Sequence, residues 1–202
     1  YEGTNSYSLT IRATDAGGEY KYQIVTIGVT DVNEAPTVVA LTGTSVVENS
    51  AAGEVVGTLS ATDPDAGNTH TFSIVGGSSE FDIVGNQLVV KAGAVLNYEG
   101  TNSYSLTIRA TDAGGLSKDQ VVTIGVTNVN EAPTAVALTG NSVAENSAAG
   151  QVVGTLSATD PDAGSTHAFS IVGGSSQFDI VGNQLVVKAG AVLNYEGTNY
   201  YS

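Results

Sequence analysis

Clusters of acidic and amide side chains recur along this sequence at short spacing. "TDVNEAPT" occupies residues 30–37 and returns as "TNVNEAPT" at 127–134, and "ATDPDAG" occurs at 61–67 and again at 158–164. Carboxylates, side-chain amides and backbone carbonyls are hard oxygen donors, and six to eight such oxygens surround a Ca²⁺ ion in proteins. Mg²⁺ demands tighter octahedral geometry, and Zn²⁺ prefers imidazole or thiolate. The donor types therefore favour calcium.

The overall composition excludes several other functions. The 202 residues include 20 acidic and 6 basic side chains, for a net charge of −14, and no cysteine. Nucleic acids and anionic membrane surfaces are unsuitable partners because both require Lys and Arg. Disulfides, thiolate metal sites and cysteine nucleophiles are also excluded. No apolar run reaches 18 residues, so we expect no membrane insertion.

The acidic clusters recur because the whole sequence repeats. Every repeated stretch is displaced by 97 residues, and residues 1–97 differ from 98–194 at twelve positions. Solenoid repeats are usually 20–50 residues long, whereas about 97 residues is the size of a small autonomous domain. The chain therefore contains tandem domains.

Each repeat consists of short segments with the periodicity of β-strands. Apolar and polar side chains alternate through residues 104–111 and again through 121–126. In "FDIVGNQLVV", two apolar halves flank Gly85-Asn86, a dipeptide suited to the tight turn of a hairpin. Seven such strands in about 97 residues predict an all-β fold, a seven-stranded Greek-key β-sandwich repeated in tandem.

Two prolines mark the predicted domain boundaries. Pro36 and Pro133 follow the acidic stretch and precede a new strand, a position that suits a residue without an N–H group. We therefore expect residues 1–34 to be the last two strands of one repeat and 35–131 to be a complete repeat. Residues 132–202 would then be the first five strands of a third.

The carboxylates of the complete repeat fall into two groups. Glu48, Glu99 and the exit segment should share the pole near the C-terminus, and Asp63, Asp65 and Asp112 the opposite pole. In a tandem array the exit pole of one repeat abuts the entry pole of the next. Two unit charges about 5 Å apart repel by roughly 3 kcal/mol at an effective dielectric of 20, so such a junction requires a neutralising cation.

These motifs resemble those of the cadherin repeat, in the bacterial form that occurs in large surface adhesins. Five elements carry the resemblance over the whole chain, in the family's order. They are Val47-Glu48-Asn49, Asp63-Pro64-Asp65, Leu96-Asn97-Tyr98-Glu99, Ala110-Thr111-Asp112-Ala113-Gly114-Gly115 and the linker Asp31-Val32-Asn33-Glu34-Ala35-Pro36. The resemblance implies a cadherin/Ig-like sandwich, up to three Ca²⁺ ions at each junction, and an array that calcium stiffens.

The resemblance also implies the ligands. At the first junction they are Glu2, Asp31, Asn33, Glu34, Asp63, Asp65, Asn68 and Asp112. At the second they are Glu48, Asn97, Glu99, Asn128, Asn130, Glu131, Asp160 and Asp162. Asn97, Asn128 and the linker glutamates stand where the family has aspartates, which leaves the number of ions per junction open.

Other sites receive little support from the sequence. The twelfth position of a loop beginning at Asp63 is Ile74 rather than glutamate, so an EF-hand is excluded. We expect His70 and His167 to be solvated turn residues. No "GxSxG" is present, and an array of nearly identical copies argues against a catalytic pair among Glu48, Glu99 and Glu131. We therefore expect no enzyme activity.

The tyrosines leave one alternative function open. Several of them, including Tyr98 and Tyr104, lie in or beside "NYEGTNSYS", where packing is the simpler role and a surface that stacks on polysaccharide is the other. The predicted function is a calcium-rigidified repeat of a secreted or bacterial surface adhesin that mediates cell adhesion or biofilm formation. The alternative is a polysaccharide-binding module of a matrix protein or carbohydrate-active enzyme.

The two end segments are complementary. Residues 132–202 lack the two strands that residues 1–34 contain, so the tail of one molecule could accept the hairpin of another, head to tail. The other explanation is that the termini are arbitrary cuts in a continuous array, in which case the partners are the neighbouring repeats.

Overall fold

The computed structural model describes residues 3–197, and this part of the chain contains strands and turns but no helix. None of it therefore has the long apolar helix that a bilayer crossing requires. The strands are β1 (Ser6–Thr14), β2 (Tyr20–Gly28), β3 (Val38–Thr42), β4 (Ser45–Val47), β5 (Val55–Thr62), β6 (Thr71–Ile74), β7 (Phe81–Val84), β8 (Gln87–Val90), β9 (Ser103–Thr111), β10 (Ser117–Thr127), β11 (Ala135–Thr139), β12 (Val152–Thr159), β13 (Phe178–Val181) and β14 (Gln184–Val187).

Strands β3 to β10 form two four-stranded sheets in the middle of the chain. One sheet has the order β4-β10-β9-β6 and the other β3-β5-β8-β7. All pairings are antiparallel except that of β4 with β10. The predicted all-β sandwich is confirmed, with the three-residue β4 as a strand that the sequence pattern did not indicate.

The core lies between these two sheets. Leu88, Leu96 and Ile108 are 0% exposed, and Phe81 is 1% exposed. Along β9, buried or half-buried apolar residues alternate with more exposed polar ones, as the period of two predicts. Burial of these branched and aromatic side chains is the main force that holds the sheets together.

The predicted hairpin turn at Gly85-Asn86 is present. Val84 pairs with Gln87 across a two-residue connection, and Gly85 has φ of 63°. Positive φ is unfavourable for a residue with a Cβ atom, which explains the glycine.

The chain divides into two compact units, one up to Asn128 and one from Val129 onward. In the first unit, β1 and β2 form a separate two-stranded sheet. In the second, the sheet β11-β12-β14-β13 repeats the order of β3-β5-β8-β7. Residues 129–197 contain four strands where the sequence pattern predicted five, and none at the positions equivalent to β4, β6, β9 and β10. The missing predicted strand is the equivalent of β6, which in the complete repeat pairs with β9.

Identical residues consequently differ in burial between repeats. Ile11 is 52% exposed in β1, whereas its counterpart Ile108 is 0% exposed in β9. Val136 is 66% exposed in β11, whereas Val39 is 5% exposed in β3. The two partial repeats therefore expose the surfaces that form the core of the complete one.

Candidate metal centre

The first linker contacts two aspartate-bearing loops of the complete repeat. Asn33 Nδ2 donates to Asp112 Oδ2 at 3.0 Å, and the backbone N–H of Glu34 donates to Asp65 Oδ2 at 2.9 Å. A Cβ atom on Gly114 would lie 2.5 Å from the Asn33 side chain, so only glycine leaves room for this contact. The structure thus brings the predicted linker ligands to the predicted loop ligands.

Asp65 has one oxygen that these contacts do not satisfy. Its Oδ2 accepts the N–H of Glu34 and, at 3.4 Å, Nδ2 of Asn68. Its Oδ1 is buried and has no hydrogen-bond partner within residues 3–197. A buried carboxylate oxygen without a partner is costly, and such an atom needs an explanation, of which a bound cation is one.

The second unit has the same arrangement at the equivalent positions. The backbone N–H of Glu131 donates to Asp162 Oδ2 at 2.7 Å, and Asp162 Oδ1 is buried without a partner in the described part of the chain. Asp162 is 9% exposed. The unsatisfied oxygen is thus a property of the motif and not of one local packing environment.

Asp63 and Asp160 are fixed by histidines. His70 Nε2 lies 2.9 Å from Asp63 Oδ2, and His167 Nε2 lies 2.9 Å from Asp160 Oδ2. The expectation that these are solvated turn residues was wrong, because the two histidine side chains are only 11% and 19% exposed. The turn pattern of the sequence did not show that each ring folds back onto its loop.

These contacts change the acidity of both aspartates. Partial burial of Asp63 opposes its ionisation, but hydrogen bonds from His70, the Asp65 N–H and Asn68 outweigh burial and lower its pKa. The hydrogen bond from His167 is the main cause of the lowered pKa of Asp160. Both carboxyls are therefore ionised and ready to bind a cation at neutral pH.

The opposite pole contains a second acidic group. Carboxylate oxygens of Glu48 and Glu99 lie within 4.8 Å of each other. Glu48 is 2% exposed, and its Oε2 accepts the N–H of Tyr98 at 2.9 Å. Asn97 lies beside this group, but its Oδ1 accepts the N–H of Gly100 at 3.1 Å. Two carboxylates at this separation repel by about 3 kcal/mol at an effective dielectric of 20, so a cation would stabilise the pair.

The remaining predicted ligands lie in the linkers or near the N-terminus. Asp31 and Asn128 are exposed. Asn130 Nδ2 donates to the carbonyl oxygen of Glu131 at 3.1 Å, which leaves its Oδ1 available as a ligand atom. Glu2 lies outside the described residues.

The donor set fits Ca²⁺. The groups at these loops are carboxylates, amides and backbone carbonyls, and the unsatisfied atoms are hard anionic oxygens. Neither histidine offers Nε2 to a metal, because that atom contacts an aspartate. Calcium would neutralise the carboxylates and hold linker and loop residues together.

Of the two tyrosines considered for stacking, Tyr104 packs against the core, whereas Tyr98 is 37% exposed. Tyr104 is half-buried and meets Phe81 edge to face, with ring centroids 5.4 Å apart. An open depression of about 670 Å³ adjoins Tyr104, lined by residues that include Ser78, Glu80 and Lys91. Lys91 Nζ donates to the Ser78 carbonyl oxygen at 2.7 Å, so its ammonium group is hydrogen-bonded to the loop that contains Ser78.

Comparison with known proteins agrees with this architecture. A family model described as "Cadherin domain" matches residues 43–127. This segment is a cadherin domain. It includes most strands of the complete repeat and, among the predicted ligands, Glu48, Asp63, Asp65, Glu99 and Asp112.

The relatives are cadherins and protocadherins of animals. The chain is 34% identical over 179 residues to the protocadherin-like wing polarity protein stan of Drosophila melanogaster, a match that covers 81% of this chain and 5% of that protein. It is 33% identical over 179 residues to cadherin-18 of Bos taurus, covering 80% of this chain and 23% of that protein. The chain thus spans a small part of both cadherin relatives.

A solved cadherin structure shares the fold over nearly the whole chain. Mouse cadherin-23 EC22-24 has a TM-score of 0.69 and 25% identity, covering 97% of this chain and 67% of that one. The expectation of a cadherin fold is confirmed. The bacterial form of the family stays a prediction, since the relatives found are animal proteins.

Proposed function

We propose that this chain is a calcium-binding, calcium-rigidified segment of an extracellular adhesion protein. The observation that carries the proposal is the buried, unpartnered Oδ1 of Asp65 and of Asp162 within residues 3–197. Cadherin domains in general bind Ca²⁺ and belong to extracellular adhesion proteins, which supports the same function for this chain. Residues 1–34, 35–131 and 132–202 would act as successive repeats of the array.

The ligands that we propose are those predicted from the sequence. Asn33, Asp63, Asp65 and Asp112 are supported by their convergence at the first linker. Glu48 and Glu99 are supported by their proximity and by the burial of Glu48. When calcium binds, it supplies the positive charge that lets these carboxylates stay together, and the side chains fix the linker against the loop.

A calorimetric titration of the chelator-treated chain with CaCl₂ tests this proposal. We expect saturable binding with Kd of roughly 10⁻⁴–10⁻³ M, the range of extracellular calcium modules. Asp65→Asn with Asp162→Asn removes the two unsatisfied charges and should weaken or abolish binding. The matched control is Asp82→Asn with Asp179→Asn, which removes equal charge from exposed strand positions and should leave binding unchanged.

If the parent chain takes up no calcium, the proposal is wrong. If both double variants lose affinity equally, the effect reflects net charge and not the site.

We further propose that partial repeats of this sequence complete one another between chains. The support is the contrast in burial: β9 and β10 cover the sheet β3-β5-β8-β7 in the complete repeat, and β1 and β2 have nearly the same sequence. The face of β1 that contains Leu9 and Ile11 is about half exposed. The sheet β11-β12-β14-β13 of a second copy has nearly the same sequence as β3-β5-β8-β7 and would cover this face of β1.

Such a contact joins different surfaces of two molecules and therefore propagates head to tail. Sedimentation analysis over a concentration series should show mass increasing beyond the monomer. Ile11→Asp on the hairpin and Val136→Asp on the accepting sheet should each reduce association, whereas Thr10→Asp on the other face of β1 should not. A monomer at every concentration would contradict this assembly.

A role in a bacterial surface or biofilm remains a prediction of the motif resemblance. Tyr104 gives the polysaccharide alternative no support, because its ring packs against Phe81 at the core.

A further inference from the structure

The histidines beside the aspartate loops make the same contact in both repeats, although two nearby residues differ. His70 and His167 make the same 2.9 Å contact with Asp63 and Asp160. Two positions near the histidine differ between the repeats: Asn68 and Thr71 correspond to Ser165 and Ala168. The contact therefore does not depend on the identity of these two residues.

Each contact completes the immobilisation of an aspartate. Asp63 Oδ2 meets His70, and Asp63 Oδ1 accepts the backbone N–H of Asp65 at 3.0 Å. The Asp63 side chain is 3% exposed and that of His70 is 11% exposed. With both oxygens held and the group shielded from water, the carboxylate has one orientation before any ion arrives.

A fixed carboxylate binds a cation more tightly than a mobile one. A mobile side chain loses rotamer freedom when it becomes a ligand, and this loss lowers the affinity. Residues that hydrogen-bond to metal ligands typically change metal affinity by about 10- to 100-fold when they are mutated.

We propose that His70 and His167 are positioning residues that orient Asp63 and Asp160 for calcium and thereby set the affinity of the aspartate loops. This inference depends on the calcium site proposed above. The histidines do not themselves bind the ion, because Nε2 of each is engaged with the aspartate.

The alternative role is purely structural, in which the ring only fills space and stabilises the loop. Two substitutions separate the roles. Phenylalanine keeps a ring of similar size and removes the N–H donor. Glutamine places an amide N–H at nearly the reach of Nε2 and removes the ring.

The experiment is a calorimetric CaCl₂ titration of the full 202-residue chain, with the melting temperature in chelator measured for each variant. We expect His70→Phe with His167→Phe to weaken calcium binding by about 10-fold or more. His70→Gln with His167→Gln should recover most of that affinity. The melting temperature in chelator should not rank the two variants as calcium affinity does, since phenylalanine preserves packing better than glutamine.

Three results would overturn the inference. Parent-like affinity in the phenylalanine variant would refute positioning while the calcium site stands. Equal loss of affinity in both variants, in proportion to their loss of calcium-free stability, would show a structural role. No calcium binding by the parent would remove the proposed function and this inference together.

Discussion

Asp65 and Asp162 occupy the same position in successive repeats, and each has one buried carboxylate oxygen that meets no hydrogen-bond donor within residues 3–197. The other oxygen of each accepts the N–H of a linker glutamate, at 2.9 Å and 2.7 Å. One side chain thus connects the linker to the loop through Oδ2 and leaves Oδ1 for the calcium ion that we propose. This double use explains why linker and loop motifs occur together in the sequence.

Isoleucine truncations will measure how burial differs between identical strands. Ile108→Ala should destabilise the complete repeat by about 2–5 kcal/mol, because a fully buried side chain leaves a cavity. Ile11→Ala, at the equivalent half-exposed site, should change stability by less than about 0.5 kcal/mol. Urea denaturation at low protein concentration measures both, and equal effects would show that β1 is packed as β9 is.

A glycine in the bulge of β5 should not tolerate a side chain. A Cβ atom on Gly57 would lie 2.0 Å from the Thr42 carbonyl oxygen, which forces the backbone to move. Gly57→Ala should cost about 1–3 kcal/mol, the usual cost of overpacking.

The matched control is Gly125→Ala in β10, where the nearest neighbour of the new Cβ atom, the Thr44 carbonyl oxygen, would be at an ordinary 3.8 Å. Its melting temperature should stay close to that of the parent. An unchanged melting temperature for Gly57→Ala would mean that the bulge is not as tight as described.

The pair of Arg109 and Asp119 predicts an acid-dependent contribution to stability. Arg109 Nε and a terminal guanidinium nitrogen donate to the two oxygens of Asp119 at 2.7 Å and 2.8 Å, and these hydrogen bonds lower the pKa of Asp119. A lowered pKa in the folded state stabilises the protein above the unfolded value of about 3.9, and the stabilisation disappears as the pH falls through the folded value.

The difference in stability between the parent and Asp119→Asn should therefore be present at neutral pH and shrink below about pH 4. Both side chains are exposed, so the effect should also weaken at high salt. A difference that stays constant from neutral to acidic pH would contradict the pairing.

Much of the fold followed from the sequence because its signals are local. Alternation in β9 and the Gly85-Asn86 turn depend on neighbouring residues, and both predictions were confirmed. The short β4 could not be predicted, because three residues carry no periodicity and its parallel pairing with β10 depends on the finished sandwich. Burial also escaped prediction where identical residues such as Ile11 and Ile108 lie in different surroundings.

The site was predicted less completely than the fold. The motifs identified which acidic residues to consider, and the structure brings several of them together, as with Asn33 and Asp112. His70 was missed as a partner of Asp63, because a histidine in a turn gives no sequence signal of the direction in which its ring points. The ligand set as a whole remains a prediction.

Thermal unfolding in chelator and in excess CaCl₂ tests the central claim most directly. A ligand at about 100 times its Kd stabilises the folded state by about 2.7 kcal/mol, so calcium should raise the melting temperature of the parent by several degrees. The rise should be lost in Asp65→Asn with Asp162→Asn and kept in Asp82→Asn with Asp179→Asn. A parent chain that melts at the same temperature with and without calcium would contradict the account.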